Sequence, residues 1–438
     1  MVNSDFLIHK DLKHIWHPCS QMKDFEQTPP LIVHQAKGNE LHTNRGVLID
    51  AISSWWCKSL GHGHPEIIAA IQAQLSRFEH VIGANTTHEE IAELGEQIAH
   101  LTKNQHVFFA SDGSSAVEIA MKLALHAKQL QGYPSRNQFI SLKNSYHGET
   151  LATLSVSDLG LYKKPYEHMG VTCHVLQNIP YVSGKEDPLW TSCDHHWQAT
   201  RKELEAIKEN ACAIIVEPLI QGAGGMLCYS ADYLKKLSQY CNENDLFLIA
   251  DEIMTGLGRT GKWLALEHAG VKADLICLSK GLTSGTLPLS CVSVDHFIYE
   301  LFYNDYESGH SFLHSHTYSG NALAISAALA TLNIMQRENS HIKAEVLGQT
   351  MEKHFIEIAQ LTGKLKNVRR LGAIVAGELI NENQKRIGFE LYKRGLDNGA
   401  LLRPLGNTLY WMPPLNCDKK TIGNLAEITL KSIKEAYT

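Results

Sequence analysis

The stretch DLFLIADEIMTGLGRTGKWLALEHAGVKADLICLSK, residues 245–280, decides the fold. It holds two short apolar runs, 245–253 and 273–280, which lack polar alternation and are separated by a longer mixed segment. Runs of this kind are typical of strands that are covered on both faces, as in a parallel sheet. Asp251 lies near the end of the first run and Lys280 ends the second. The stretch therefore predicts two neighbouring parallel strands that bring a carboxylate and an amine to one edge of a sheet.

Four further apolar runs flank this stretch and alternate with helical patterns. They are HVFFAS (106–111), QFISLK (138–143), ACAIIVEPL (211–219) and LSCVSV (289–294). Such alternation is the signature of βαβ units around a mostly parallel sheet. We therefore predict an α/β fold with a large domain over residues 63–330.

The two chain ends carry different patterns. Residues 1–62 are rich in loops, with a hairpin predicted around Asn44-Arg45-Gly46, and residues 331–438 hold long amphipathic helices around short strands near 371–412. We expect both ends to pack together as a smaller α+β domain beside the large domain.

Composition excludes several classes of protein. The 438 residues carry a net charge of −6 without any block of like charge, so neither a nucleic-acid footprint nor an acidic tail is visible. The ten cysteines are scattered and form no C-x-x-C, which favours reduced thiols over a disulfide framework. The N-terminus lacks the apolar core of a signal peptide, and no run reaches the roughly 18 apolar residues of a membrane span. We expect a cytoplasmic enzyme without membrane or nucleic-acid partners.

Asp251 and Lys280 together suggest a coenzyme site. A carboxylate at a sheet edge can keep a pyridine nitrogen protonated, and a neutral lysine can form a Schiff base with the aldehyde of pyridoxal phosphate (PLP). The alternative is structural, with Asp251 capping a turn and Lys280 extending its charged end to solvent.

Three other groups of residues would complete such a site. Gly113 and Ser114 open a helical pattern directly after a strand, where free backbone amides bind phosphate, although the same cluster is an ordinary helix cap. Tyr146 follows another strand and could stack on a flat ring or simply pack. Trp55 and Trp56 point to opposite sides on an extended chain, so at most one is expected in the core and the other could line a substrate channel.

Two patterns suggest other functions. Residues 256–262 contain G-x-G-x-x-G and nearly match a phosphate loop, but Trp263 replaces the hydroxyl that would hold magnesium and no helix pattern follows. The histidines with metal-like spacing have no acidic or cysteine ligand nearby, and we predict no metal site; they are His310, His314 and His316, and His62 with His64.

The chain resembles the class-III family of PLP-dependent aminotransferases, which have fold type I. The family signature is matched by LIADEIMTGLGRTGKWLALEHAGVKADLICLSKGLTSG at 248–285. Further motifs resemble the branch that converts 8-amino-7-oxononanoate to 7,8-diaminononanoate in biotin biosynthesis, with S-adenosylmethionine as amino donor. They are HIWHPCSQM (14–22), SSWW (53–56), NSYHGET (144–150), EPLIQGAGGM (217–226), SFLHSHTYSGNALA (311–324) and LLRPLGNTLYWMPP (401–414).

The resemblance implies roles for the matching residues. Lys280 corresponds to the Schiff-base lysine, Asp251 to the partner of the pyridine nitrogen, Gly113 and Ser114 to the phosphate-binding pair, and Tyr146 to the ring-stacking tyrosine. These residues make Lys280, Asp251 and Tyr146 the predicted catalytic set.

The resemblance also implies a homodimer with shared active sites. Thr317 corresponds to the threonine that reaches the coenzyme phosphate of the neighbouring subunit, and we expect the adjacent His316 to bind the coenzyme as well. Arg403 resembles the arginine that binds the distal carboxylate of the substrate, for which its planar guanidinium is suited. The predicted substrate-binding residues are Trp55, Trp56, Tyr146, Lys280, Ser315, Arg403 and Tyr410.

Two departures from the family border the substrate site. Cys19 stands where the family has a tyrosine, and Ser315-His316 stands where it has Gly-Pro. Because of them, the sequence leaves two alternatives open: another class-III ω-amino-acid or diamine aminotransferase, or the same reaction with lysine as donor.

Overall fold

A computed structural model of the chain describes residues 4–381 and 386–438. Its centre is a seven-stranded sheet, and six of the seven strands run in one direction. In spatial order the strands are His106–Ala110, Ser290–Val294, Leu275–Leu278, Phe247–Asp251, Ala211–Val216, Gln138–Leu142 and Cys173–Leu176. The exception is Ser290–Val294, which is antiparallel to both neighbours. The α/β prediction is confirmed.

The strands 247–251 and 275–278 are direct parallel neighbours, as the deciding stretch predicts. Every residue of these two strands is buried, because helices and loops cover both faces of the sheet. The observed strands are shorter than the apolar runs because the run ends turn away from the sheet. After Val216, for example, Pro218 has no backbone N–H to donate to a ladder.

Three smaller sheets accompany the central one. One contains Val33–Lys37, Glu40–Thr43, Gly46–Asp50 and Ala400–Leu401; the second contains Leu365–Leu371, Ile374–Leu379 and Thr408–Trp411; the third contains Tyr181–Val182, Leu227–Tyr229 and Ile220–Gln221. Strands 40–43 and 46–50 form the predicted hairpin, with Thr43 opposite Gly46. Strand 400–401 pairs in parallel with strand 46–50, so the two chain ends share a sheet. The domain boundaries at 62/63 and 330/331 stay a prediction.

In the described ranges, thirteen α-helices surround the sheets, apart from the short turn 53–56. They are Ser4–His14, Pro65–Leu75, Glu89–Thr102, Gly113–Leu130, Leu151–Val156, Gly160–Lys163, Asp194–Glu205, Ala231–Glu243, His296–Phe302, Ala322–Arg337, Ser340–Thr362, Ile387–Asn398 and Lys419–Ala436. The helix 113–130 packs its buried face, which includes Val117, Met121 and Ala124, on the central sheet. Within the described ranges, no helix has the length and apolar character needed to cross a membrane.

All ten cysteines lie in the described ranges and carry free thiols. Six of them are buried in the core. Residues of this kind behave as small apolar side chains.

Candidate active site

A cavity of about 220 Å³ lies beyond the carboxyl ends of the parallel strands. The loops that follow five different strands converge there, as expected for an open α/β sheet. The cavity brings together six of the predicted residues in the same place. Its lining is Trp56, Asp112, Gly113, Ser114, Tyr146, His147, Gly148, Glu217, Asp251, Ile253, Met254, Ser279 and Lys280.

Asp251 is held in one orientation at the base of this cavity. Its side chain is buried, and its Oδ1 accepts from the backbone N–H of Ile253 at 3.2 Å. Its Oδ2 lies 2.9 Å from Nδ1 of His147, and the ring nitrogen donates because a carboxylate only accepts. His147 is itself buried, with its backbone N–H donating to Ser157 Oγ at 2.9 Å. His147 has no role predicted from the sequence, since only the fold brings it to Asp251.

Lys280 follows the neighbouring strand and has a left-handed backbone, with φ of 44°. Its Nζ lies 5.3 Å from the ring centre of Trp56. Burial lowers the pKa of this amine, while the nearby Asp251 and Glu217 act in the opposite direction. A lowered pKa makes the neutral, nucleophilic form of the amine more accessible.

The helix 113–130 begins at the rim of the cavity. The side chain of Asp112 caps it by accepting from the N–H of Ser115 at 3.0 Å. No group in the described part of the chain accepts from the N–H of Gly113 or Ser114, which therefore remain available to an anion. The rim is closely packed: a Cβ added to Gly148, whose φ is 124°, would lie 2.3 Å from Ser114 Oγ.

Tyr146 is fixed at both ends. Its N–H donates to Glu217 Oε1 at 2.9 Å, and its hydroxyl donates to Glu149 Oε1 at 2.9 Å. Burial, followed by the Glu149 carboxylate, raises the pKa of the phenol well above its usual range. The ring thus stays a neutral, flat wall of the cavity.

Glu217 is a buried carboxyl with no role predicted from the sequence. Its two oxygens accept from the N–H of Tyr146 and of Gly222, both at 2.9 Å. Burial raises its pKa to about 7, with Asp251 adding to the shift and His147 opposing it. Glu217 therefore joins two loops of the cavity wall and changes charge near neutral pH.

We expect the Glu217→Gln variant to flatten part of the pH dependence of stability. A carboxyl whose pKa rises on folding, here from 4.5 to about 7, stabilises the fold fully below pH 4.5, and this contribution is lost as the pH rises through 7. Between pH 4.5 and pH 8, the free energy of unfolding should therefore fall by on the order of 3 kcal/mol less in the variant than in the wild type. Urea unfolding from pH 4.5 to 8 measures this difference.

Part of the dependence should remain in that variant, because burial also raises the pKa of Glu252 to about 7. Parallel stability curves for wild type and Glu217→Gln would contradict the assignment of Glu217.

The segment Ser53–Trp56 forms one left-handed turn rather than the extended chain assumed from the sequence. Trp56 is buried and its Nε1 donates to the Tyr410 hydroxyl at 2.9 Å, while Trp55 is exposed. The prediction that only one of the two tryptophans is in the core is confirmed. Tyr410 lies behind Trp56 and does not line this cavity. It does not line the second cavity either, which lies beside Arg403.

Arg403 stacks on Trp55, with its guanidinium carbon 4.1 Å from the ring centre. It also donates to the carbonyl oxygen of Cys19 at 3.4 Å. It lines a second cavity of about 320 Å³ together with Cys19, Phe25 and Tyr392. The predicted carboxylate-binding residue therefore touches the same tryptophan turn as Lys280.

The residues Ser315, His316 and Thr317 line neither of these two cavities. The Thr317 carbonyl accepts from Nε2 of His80 at 2.7 Å, and His316 Nε2 lies 3.2 Å from His314 Nε2. The fold of one chain does not bring this loop to Lys280.

Other candidate sites bring no such set together. A larger cavity of about 720 Å³ lies between the helix 89–102 and residues 263–272 and contains none of the predicted site residues. Among the described residues, no group of three or more His, Cys, Asp or Glu side chains could hold a metal ion.

The cavity residues fit pyridoxal phosphate. A buried carboxylate fixed by His147 suits a pyridinium nitrogen, the free amides of Gly113 and Ser114 suit a phosphate, and the amine of Lys280 suits an aldehyde. His147 Nε2 has no partner among the described groups, which leaves this polar atom available at the cavity base.

Comparison with known proteins finds relatives over nearly the whole chain. The sequence model of the family described as aminotransferase class-III matches residues 22–433. An adenosylmethionine-8-amino-7-oxononanoate aminotransferase from Helicobacter pylori is 39% identical over 428 residues, covering 95% of this chain and 96% of the relative. The crystal structure of an enzyme of that name from Methanocaldococcus jannaschii superposes with a TM-score of 0.90 at 31% identity and 99% coverage of both chains. An amine transaminase from an uncultivated Pseudomonas species, solved in its PLP-bound form, gives a TM-score of 0.87 at 28% identity, covering 97% of this chain and 98% of that chain.

Proposed function

Because the chain belongs to the class-III aminotransferase family, we propose that it is a PLP-dependent transaminase acting on 8-amino-7-oxononanoate. The product would be 7,8-diaminononanoate and the amino donor S-adenosylmethionine, as a step of biotin biosynthesis. The observation that carries the proposal is the meeting of Lys280, Asp251 and the free amides of Gly113 and Ser114 in one cavity. The name of the 39% identical relative supports the choice of substrate.

PLP, when bound, supplies an aldehyde that takes up an amino group and a pyridinium ring that spreads negative charge. The chain's own residues supply the rest. The lowered pKa of Lys280 lets its amine accept the proton from the substrate α-carbon and later return one. The same amine serves both half-reactions, since donor and acceptor use one site in turn.

Asp251 would hold a proton on the pyridine nitrogen of bound PLP. His147 keeps the carboxylate oriented and prevents it from turning toward other donors. Tyr146 would cover one face of the coenzyme ring, and Glu217 and Glu149 hold this tyrosine in place. These contacts form before substrate binds, so little reorganisation is needed during the reaction.

The end of the site away from Lys280 suits the carboxylate of the substrate. A nine-carbon keto acid presents a carboxylate far from its reacting end, and Arg403 can bind it with two parallel hydrogen bonds. Trp55 supports the guanidinium from below at 4.1 Å. The apolar chain between the two ends would lie along Trp56, which faces Lys280.

We expect Arg403→Ala to raise KM for the keto acid about ten- to hundredfold, the loss of a charge-assisted contact. The kcat should change little, because a contact to a remote charge stabilises ground state and transition state alike. Steady-state kinetics with a fixed donor concentration measure both. The control is Arg337→Ala, which removes an exposed arginine paired with Glu66 and should keep the wild-type KM. An unchanged KM in Arg403→Ala would remove this residue from the site.

We also propose that the enzyme is a homodimer with shared active sites. The loop with Ser315, His316 and Thr317 lies away from the cavity of its own chain, and Thr317 would instead reach the phosphate at the partner's site. The same loop region exposes several apolar side chains, as interface residues do before they are covered: Tyr303, Tyr306, Leu313 and Tyr318.

A second candidate is a class-III enzyme with a different amine, either an ω-amino acid, a diamine or lysine as donor. Cys19 favours it, because this residue lies 3.8 Å from Glu149 Oε1 at the mouth of the site, where the family has a tyrosine. Single half-reactions of the holoenzyme, followed by the visible absorbance, separate the candidates. Rapid conversion with S-adenosylmethionine, and reversal by 8-amino-7-oxononanoate, support the proposal. Conversion only with other amines contradicts it.

A further inference from the structure

The left-handed turn Ser53–Trp56 is an unusual piece of backbone. Its four residues have φ angles of 50°, 44°, 78° and 72°, and none of them is glycine. Left-handed backbone is unfavourable for each residue that carries a Cβ, and it occurs mainly as single residues. A run of four persists only where the surroundings hold it in place.

The Asp50 carboxylate supplies much of that support. The side chain is fully buried and accepts from the N–H of Ile52 at 3.3 Å, and from the N–H and Oγ of Ser54 at 3.0 and 2.7 Å. Its Oδ2 also lies 2.9 Å from Nε2 of His62. Burial alone would raise the pKa of Asp50, but hydrogen bonds from His62 and Ser54 outweigh it, and the pKa is lowered. The ionised carboxylate therefore binds both the turn and His62.

His62 is itself anchored to a different part of the fold. It exchanges two backbone hydrogen bonds with Gly38, of 2.8 and 2.9 Å, next to the N-terminal hairpin. The approach is close, since a Cβ added to Gly61 would lie 2.8 Å from the Gly38 carbonyl oxygen. His62 has a spacing from His64 that a metal could use, but in the structure its side chain contacts Asp50.

The turn orients both tryptophans. Trp56 points inward, to the Tyr410 hydroxyl at 2.9 Å and to Lys280 Nζ at 5.3 Å, whereas Trp55 points outward beneath Arg403 at 4.1 Å. An extended chain would give the two rings other directions, and the support beneath Arg403 would be lost. One short segment thus relates the reacting amine to the arginine at the far end of the site.

We propose that Asp50 and His62 are positioning residues that hold the left-handed turn and thereby set Arg403 at a fixed place relative to Lys280. This inference rests on the proposed function in one respect, the binding of the substrate carboxylate by Arg403. It assigns no contact with substrate or coenzyme to Asp50 or His62.

The first test compares His62→Ala with His62→Gln in the holoenzyme. His62→Ala should raise KM for the keto acid at least about tenfold while the visible absorbance of the bound coenzyme stays unchanged, since small misplacements of positioning groups have effects of this size. Gln has an amide nitrogen at the place of Nε2 and should restore most of the wild-type KM. The control is His174→Ala, which removes a histidine bound to Gln138 at 2.7 Å at the edge of the sheet and should leave KM unchanged.

A double-mutant cycle separates positioning from general destabilisation. In the Arg403→Ala background, His62→Ala should raise KM less than about twofold, because the contact it positions is already gone. Equal effects of His62→Ala in both backgrounds would overturn the proposal. If His62→Ala does not fold, Ser54→Ala removes one donor to Asp50 and should show the same non-additivity with a rise of about threefold.

Failure of the substrate assignment has a separate signature. If Arg403→Ala alone leaves KM unchanged, the proposed substrate contact is wrong. The structure of the His62→Ala variant then tests whether Asp50 and His62 hold the left-handed turn. Positive φ angles retained at Ser53–Trp56 in that structure would overturn it, and their loss, with Trp55 leaving Arg403, would support it.

Discussion

A Lys280→Ala variant should lose more than about 10⁴ in kcat, because the proposed function assigns to this one amine both the covalent binding of the coenzyme and the proton transfers. The methyl group of alanine cannot accept a proton, and among the described residues Lys280 is the only lysine that lines the cavity. The purified variant should also lack the visible absorbance that borohydride bleaches in the wild type. Stopped-flow half-reactions and absorbance spectra measure the two effects.

Lys262→Ala is the matched control for this variant. Lys262 belongs to the glycine-rich segment that nearly matches a phosphate loop, and it does not line the cavity. We expect wild-type turnover and absorbance in this control. Turnover retained in Lys280→Ala, or lost in Lys262→Ala, would contradict the site described above.

Asp251→Asn should lower kcat about 10²- to 10³-fold while the coenzyme stays bound. The neutral amide cannot hold a proton on the ring nitrogen, and it also weakens the hydrogen bond that orients His147. Binding should survive because the amides of Gly113 and Ser114 and the ring of Tyr146 are untouched. The single-turnover rate of each half-reaction, with the coenzyme content measured in parallel, gives the two quantities.

Glu252→Gln provides the comparison at the adjacent position. This carboxyl is also buried, but it points away and accepts from the N–H of Leu266 at 2.9 Å. Its replacement should change the unfolding midpoint and leave the half-reaction rates within about twofold. A normal rate in Asp251→Asn would show that the ring nitrogen does not depend on this carboxylate.

The sequence predicts the central sheet well because its strands are continuous apolar runs. Runs such as 211–219 and 245–253 are too short for buried helices and end in turn residues, so their type is unambiguous. The edge strand Cys173–Leu176 is not predicted, since CHVL has a polar residue and only four positions. Edge strands are exposed on one side and therefore carry a weaker apolar signal.

Within the site, the sequence predicts the residues that follow the strands, but it does not predict which residues from distant segments contact them. Lys280 and Asp251 follow from position alone, whereas His147 and Asp50 acquire their roles only through contacts with distant segments. The left-handed turn 53–56 could not be predicted, because it contains none of the glycines that usually mark such backbone.

The glycine-rich segment 256–261 has a different explanation from nucleotide binding. Gly372 of the second small sheet's hairpin approaches it so closely that an added Cβ would lie 2.2 Å from the carbonyl carbon of Thr260. Arg259 is buried there and donates to the Pro413 carbonyl at 2.7 Å. Because Gly372 has no Cβ, two parts of the fold can meet here, while Gly258 and Gly261 of the segment adopt left-handed φ angles of 86° and 87°.

The parallel pairing of strand 400–401 with strand 46–50 has a consequence for synthesis on the ribosome. The N-terminal partner leaves the exit tunnel about 350 residues before the C-terminal one, which at ordinary elongation rates is a delay of roughly 20 to 70 seconds. The hydrogen bond from Ser53 to Met412, at 2.7 Å, forms across the same gap. The nascent chain can therefore complete its central sheet, with Asp251 and Lys280, before Arg403 has been synthesised. A premature stop after residue 380 leaves a protein with the proposed coenzyme site and without the proposed carboxylate-binding residue.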